Sequence, residues 1–187
     1  MKALFALFIL FSSALIFSNC ATHDAPENNP WLKSDSIFSS LEEALDQAEN
    51  CRVLILRNQL PTGYAIQNAK TIDERISQLT NLQSLHIYGL AQNNLPDALR
   101  QLAHLKTIEI RGTTEDSIQL YNAEMLCSSS SLLHLSLSDC QLTSYTCLPT
   151  SLKTLDLSSN LLLQINLSNH PKLCQINLEN NKLEHLV

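Results

Sequence analysis

The chain has 187 residues and a formal net charge of −6 at pH 7, with 12 lysines and arginines against 18 aspartates and glutamates. That length allows one medium-sized domain with a substantial hydrophobic core. Because no basic run occurs, neither nucleic acid nor the bulk surface of an anionic membrane is an expected partner.

The N-terminal residues are typical of an export signal. Residues 3–17 are apolar apart from two serines, and they follow a single lysine. This stretch matches the hydrophobic region of a secretory signal and is shorter than the roughly 20 apolar residues that a membrane-spanning helix needs. Residues 17–20 (FSNC) resemble the lipobox of bacterial lipoproteins, in which cleavage precedes a cysteine that carries a diacylglycerol thioether. Phe17 and Asn19 depart from the usual lipobox, which has a Leu-like residue three positions before the cysteine and a small residue directly before it.

The lipobox resemblance implies that residues 1–19 are a lipoprotein signal peptide and that Cys20 is the lipid-attachment residue. Residues 20–36 are then a flexible tether, because they are mostly polar, contain two prolines and lack hydrophobic periodicity. Two or more acyl chains anchor a protein stably to a membrane, so the resemblance implies export to the bacterial cell envelope, at the outer membrane or the cell surface. Two alternatives remain: an ordinary cleaved signal peptide with Cys20 as an incidental thiol, and an uncleaved N-terminal anchor.

Residues 37–50 are predicted to contain a short N-terminal cap helix. Ser39 or Ser40 can cap it, and two glutamates in its first turn complement the helix dipole. Its apolar residues form one stripe: Leu41, Ala44, Leu45 and Ala48. A stack of repeats needs its first coil covered by an element with one polar side, and this helix is the candidate.

From residue 51 onward one hydrophobic pattern recurs about six times, and its last three copies are the clearest. These copies are Leu132-x-x-Leu135-x-Leu137-x-x-Cys140, Leu152-x-x-Leu155-x-Leu157-x-x-Asn160 and Leu173-x-x-Ile176-x-Leu178-x-x-Asn181. Such a unit cannot bury its apolar side alone, so the copies must stack. The spacing resembles the leucine-rich repeat family. The resemblance implies an α/β solenoid over residues 51–187, a right-handed coil with a parallel sheet on its concave face.

The repeats are aligned by the central apolar pair of each strand. The pairs are Leu54/Leu56, Leu85/Ile87, Ile108/Ile110, Leu135/Leu137, Leu155/Leu157 and Ile176/Leu178, spaced by 31, 23, 27, 20 and 21 residues. The early coils are predicted to carry convex helices, over residues 71–79 and from Pro96 as a first helical position. The 20- and 21-residue coils are too short for a helix and are predicted to return in extended or 3₁₀ segments.

The family resemblance also implies an inward side chain at one turn position of each coil, where asparagine usually bonds backbone amides. The residues at this position are Gln59, Leu90, Thr113, Cys140, Asn160 and Asn181. The last three fit the pattern and Thr113 can substitute in part. Leu90 cannot make the bonds, which predicts an irregular turn in the second coil.

Two cysteines, Cys127 and Cys147, lie at the same phase of successive coils, eight residues before Leu135 and Leu155. Adjacent strands are about 4.8 Å apart, within the Cα separation that a disulfide tolerates, so a bond between them is a candidate; two free thiols is the alternative. Outside the cytoplasm such a bond can form. No Cys-x-x-Cys or paired-histidine spacing occurs, so we expect no metal site and no cofactor.

Side chains that alternate with the central pairs point outward from the concave sheet. The early coils place the larger polar groups there: Arg57, His86, Tyr88, Glu109, Arg111 and His134. Arginine and tyrosine are enriched in binding hot spots, so we predict that this set binds a ligand. The alternative is a solvated face, in which His86 and Glu109 only pair with each other.

The sequence favours a non-catalytic cell-envelope module that binds a protein ligand. Ser136, His134 and Glu109 fall close together in the alignment but do not form a hydrolase triad, because the histidine is not between nucleophile and carboxylate and no oxyanion hole is apparent. Recognition of a glycan or peptidoglycan fragment, with Tyr88 stacked on a sugar, is the alternative function, and a purely structural module is the third. The last strand, near Ile176, is also predicted to present an open edge for self-association.

Overall fold

The computed structural model describes residues 34–58, 70–89, 91–112 and 119–186. The predicted signal peptide, Cys20 and most of the tether lie outside the described residues, as do the turn residues Gln59, Leu90 and Thr113. No helix among the described residues is long and apolar enough to cross a membrane.

Seven parallel strands of the described residues form one sheet, and the chain adds them in sequence order with one interruption. The strands of the described residues are β1 Ile37–Phe38, β2 Val53–Arg57, β3 Ser84–Tyr88, β4 Thr107–Arg111, β5 His134–Ser138, β6 Thr154–Asp156, β7 Gln164–Ile165, β8 Gln175–Asn177 and β9 His185–Leu186. The order in the main sheet is β1-β2-β3-β4-β5-β6-β8, while β7 and β9 pair with each other. A chain in which each coil contributes one strand to a parallel sheet forms a solenoid.

The predicted register is confirmed for the six repeat strands. Leu54 pairs with Leu85, Leu85 with Ile108, and the series continues to Ile176. Both residues of each central apolar pair are buried in one hydrophobic core, from the first coil to the fifth. In the last coil Leu173, Ile176 and Leu178 are only partly buried, because no later coil among the described residues covers them.

The start of the domain contains one strand that the sequence analysis missed. Ile37 and Phe38 form β1, which pairs in parallel with β2 and extends the sheet by one strand. Helix α1 follows over Leu41–Asp46, and the Ser40 hydroxyl accepts a hydrogen bond from the Glu43 amide at 3.2 Å. The predicted stripe is present, since Leu41 and Ala44 are buried. That this helix acts as a solenoid cap stays a proposal.

The two predicted convex helices are short 3₁₀ helices, over Glu74–Gln78 and Asp97–Gln101, and a third 3₁₀ helix that was not predicted covers Ala123–Ser128. Pro96 is the residue before the second of them, one position earlier than expected. Side-chain carboxylates tie these helices together: both Glu74 oxygens accept backbone amides of the next coil, from Asp97 and Ala98, at 3.0 Å. Neither late return forms a helix: residues 139–153, between β5 and β6, form neither helix nor strand, and the return between β6 and β8 contains the extended strand β7. Strand β7 pairs with β9, which follows β8.

The turn position works as the resemblance implies in the late coils. The buried Asn160 carbonyl accepts the amides of Cys140 and Leu142, and its amino group donates to three backbone carbonyls. Asn181 repeats the arrangement one coil later. The residue just before each turn position adopts a left-handed backbone at Asp139, Ser159 and Asn180, with φ near 55°. Such short polar residues tolerate that conformation.

A disulfide joins Cys127 and Cys147 across two successive coils, with their Cα atoms 5.7 Å apart. The separation along the chain is 20 residues. Cys51 and Cys140 are buried free thiols, and burial raises the pKa of the Cys51 thiol to about 11 and that of Cys140 to about 12. They are therefore uncharged at neutral pH and behave as apolar core residues.

Candidate functional site

The open face of the sheet, defined as the side opposite the core, carries three rows of aligned side chains. One row begins Ile55, His86, Glu109, Ser136; the next is Arg57, Tyr88, Arg111, Ser138; the third is Val53, Ser84, Thr107, His134. All six predicted binding residues therefore lie on this face. Four of them, Arg57, His86, Tyr88 and Glu109, are linked in series by side-chain contacts and are called the Tyr88 cluster below.

The Tyr88 cluster is a chain of contacts across β2, β3 and β4. The His86 ring is almost completely buried, and its Nδ1 lies 2.9 Å from Glu109 Oε2. The Tyr88 hydroxyl donates to the same carboxylate oxygen at 3.1 Å. On the other side of Tyr88, the Arg57 guanidinium carbon lies over the ring, 4.9 Å from its centroid, which is cation–π geometry.

The Glu109 carboxylate organises the cluster electrostatically. Its hydrogen bond with His86 is the main cause that lowers the Glu109 pKa, while partial burial acts in the opposite direction and Tyr88 and Arg111 contribute smaller lowering effects. Glu109 is therefore ionised at neutral pH and accepts two hydrogen bonds at one oxygen. The other ring nitrogen of His86, Nε2, is buried and has no hydrogen-bond partner in the part of the chain that the structure describes.

Arg111 and His134 lie on the open face but outside the Tyr88 cluster. Arg111 neighbours Tyr88 in the register, and its Nε is 3.5 Å from Asp139 Oδ2 in the turn after β5. His134 lies in the third row, where its Nδ1 is 2.9 Å from Thr154 Oγ1. The predicted set is thus one compact cluster with two flanking residues.

The side chains of Ser136, His134 and Glu109 are not arranged as a hydrolase triad. Glu109 is engaged by His86 and Tyr88, and the histidine beside Ser136, His134, contacts Thr154. A serine hydrolase needs its carboxylate on the histidine that activates the serine. No group of three or more metal-ligating side chains was found in the part of the chain that the structure describes.

A groove that the sequence did not predict lies at the N-terminal end of the open face. It encloses about 310 Å³. Its lining residues are Ile37, Phe38, Ser39, Glu43, Ile55, Arg57 and Lys70. Ile37 is 41% exposed, although it is a large apolar residue. The signal that could have found the groove was the dipeptide Ile37-Phe38, which extends the sheet once it is recognised as a strand.

Solved structures include proteins that resemble this chain. A solved structure of an LRR protein from Leptospira interrogans matches with a TM-score of 0.44 and 22% identity, over 80% of this chain and 48% of that protein. This chain therefore spans about half the length of that protein. No protein-family model and no curated protein matches the chain. The description of the coil consequently depends on the strand pairing within this chain.

Proposed function

We propose that the protein is a non-catalytic module whose open face binds a protein ligand through the Tyr88 cluster and Arg111. The observation that carries this proposal is the preorganisation of the cluster: one carboxylate holds His86 and Tyr88, and Tyr88 in turn supports Arg57. A side chain that is already held loses less conformational entropy when a ligand binds. Tyrosine and arginine are also the residues that dominate protein interfaces.

The arrangement of Tyr88 favours a protein over the glycan alternative. A sugar stacks on an open aromatic face, and Arg57 occupies one face of the Tyr88 ring. Guanidinium groups instead match the planar carboxylates of protein partners. The structure therefore offers a charged and aromatic contact surface more readily than a sugar platform.

The test compares Tyr88→Ala and Arg111→Ala with matched controls. Tyr121, 65% exposed and outside the sheet, is the control for Tyr88. Arg100 is the control for Arg111, because each arginine side chain is more than half exposed and each pairs with an aspartate, at 3.8 and 3.5 Å respectively. The full-length protein and the four variants are applied to protein arrays and glycan arrays.

The proposal predicts that wild-type protein binds specific protein spots, that both open-face variants lose this binding and that both controls keep it. Glycan binding that only the open-face variants lose would support the alternative function instead. Binding that none of the substitutions changes would contradict a role for the open face.

We also propose that the module is a lipoprotein of the bacterial cell envelope, anchored through Cys20. The support is the apolar N-terminal stretch and the FSNC sequence, together with a disulfide between Cys127 and Cys147, which suits an oxidising compartment. The mass of the native N-terminal peptide tests this: a diacylglyceryl cysteine at position 20 is expected. An unmodified Cys20 would refute it. Self-association through the β8 edge stays a prediction, and light scattering at two protein concentrations tests it.

A further inference from the structure

One arginine of the Tyr88 cluster, Arg57, is held in place by an aromatic ring. Its guanidinium rests on Tyr88, and no ion pair or hydrogen bond ties it to another of the described residues. A guanidinium carries five N–H donors in its plane. Stacking on the ring occupies one face and leaves the donor edge available. The group is therefore held in place without being neutralised.

The groove next to Arg57 combines an apolar floor with a second cation. Ile37 and Ile55 lie on the open face, where Ile37 continues the row of Val53 and Ile55 precedes His86 in its row. Lys70 reaches the rim, and its ammonium donates to the Ser39 carbonyl at 2.7 Å. That contact positions Lys70 without cancelling its charge. Apolar side chains and fixed cations thus meet at one end of the sheet.

The charge balance of this end differs from that of the whole chain. Two exposed cations, Arg57 and Lys70, face one exposed carboxylate, Glu43, which contacts the Ser39 hydroxyl at 3.3 Å. Glu109, the other carboxylate in the early rows of the open face, already forms hydrogen bonds with His86 and Tyr88. In a chain of net charge −6, this local excess of positive charge favours a specific anionic group rather than general attraction of anions.

We propose that Arg57 and this groove bind an extended acidic segment of a partner protein. A carboxylate of the segment pairs with the Arg57 guanidinium, and a neighbouring large apolar side chain lies against Ile37 and Ile55. The inference rests on the proposed function and names the chemistry of its ligand. A planar carboxylate can accept two parallel hydrogen bonds from the guanidinium edge, which gives both affinity and orientation.

The experiment selects a phage-displayed library of random heptapeptides on the full-length protein. Enrichment of sequences with Asp or Glu adjacent to a large apolar residue is expected. The best peptide is then synthesised with a fluorophore, alongside a copy in which its acidic residue is replaced by the amide. Binding is measured by fluorescence anisotropy to the wild type, Arg57→Gln, Arg57→Lys and Arg100→Gln, with Arg100→Gln as the exposed control from a convex helix.

We expect Arg57→Gln to weaken binding about tenfold or more, as the loss of a charge-assisted pair predicts. Arg57→Lys should bind with intermediate affinity, and Arg100→Gln like the wild type. The amide peptide should be weaker on the wild type by a similar factor, but no weaker than the acidic peptide on Arg57→Gln. This non-additivity is the signature of direct contact between the two groups. Circular dichroism of Arg57→Gln confirms that the variant is folded.

Several results would overturn the inference. They are the absence of any enriched peptide, enriched peptides without acidic residues, and additive losses from the peptide and Arg57 substitutions. If enriched peptides lose affinity for Tyr88→Ala and Arg111→Ala but not for Arg57→Gln, the proposed function stands and this inference fails. If no open-face substitution matters, both fail.

Discussion

Replacing Asn160 by alanine tests whether the inward asparagines hold the coil together. The side chain is 4% exposed and satisfies the amides of Cys140 and Leu142, at 3.2 and 3.0 Å. Alanine leaves both buried donors without this partner, and each such loss costs about 1–3 kcal/mol. Allowing for partial relaxation, we expect unfolding free energy to fall by about 3 kcal/mol.

The matched control is Asn181→Ala in the last coil. Asn181 makes the same kind of contacts, with Leu162 N at 3.1 Å and three carbonyls, but it is partly exposed. Water can replace the lost bonds there, so a cost of about 1 kcal/mol or less is expected. Urea unfolding followed by far-UV circular dichroism measures both. If Asn160→Ala costs no more than Asn181→Ala, the argument from buried amides is refuted.

An isosteric variant, Asn160→Asp, separates the acceptor role from the donor role. Aspartate keeps the acceptor for the amides of Cys140 and Leu142. When it is ionised, however, it places a negative charge beside the carbonyls of Leu137 and Leu157, which accept hydrogen bonds from Asn160 in the wild type. Burial and those carbonyls should raise the pKa of the new carboxyl above its ordinary value. The neutral form is then favoured in the fold, so stability relative to wild type should recover as the pH falls through the raised pKa. No recovery between pH 7.5 and pH 5 would argue against the donor role.

Three further predictions concern the disulfide, the Tyr88 cluster and a tight turn. The double variant Cys127→Ser/Cys147→Ser should lose about 3 kcal/mol in urea unfolding, as expected for a loop of this length; an unchanged midpoint would contradict this. The pKa of Glu109 is lowered in the fold, so ionised Glu109 stabilises the folded state above the ordinary carboxyl pKa, and this stabilisation is lost as the pH falls through the lowered pKa. The difference in unfolding free energy between wild type and Glu109→Gln should therefore shrink from pH 7 to pH 3. Gly112→Ala should destabilise by about 1–3 kcal/mol or more, because the added Cβ collides with the backbone carbonyl of Asp139 in the next coil; a melting temperature equal to that of wild type would contradict the collision.

The strand register was predictable because two independent constraints agree on it. Apolar residues alternate within each strand, and a further apolar residue recurs three positions before each central pair. A shift by one residue would turn every core side chain outward, so the alternation leaves one solution. Knowing the register, one also knows which outward residues are neighbours. That is why all six predicted binding residues lie on the same face.

The contacts among those residues were less predictable, because they depend on rotamers rather than on register. Glu109 could have turned towards Arg111, its partner two positions along the strand, and instead accepts from His86 and Tyr88. The hydrogen bonds on the convex side were equally hard to predict from the sequence. Buried or half-buried amides fasten the early coils there: Asn58 binds the backbone of Lys70, Gln92 that of Ile72, and Asn122 that of Leu95. No fixed spacing relates these side chains to the repeat pattern.

The early and late coils use their polar side chains differently, and this difference supports the proposed position of the binding site. On the late open face, Asp156 accepts a hydrogen bond from the Ser158 amide, and Asn177 accepts one from the Glu179 amide. Both side chains therefore bond to the backbone at the end of their own strand. On the early open face, Glu109 accepts a hydrogen bond from Tyr88, and Tyr88 supports the Arg57 guanidinium, which donates to none of the described residues. Polar groups that satisfy their own backbone have little left for a partner, whereas a supported arginine retains its full capacity. The regular coils therefore hold the sheet in register, and the irregular ones carry the groups through which we propose that a ligand binds.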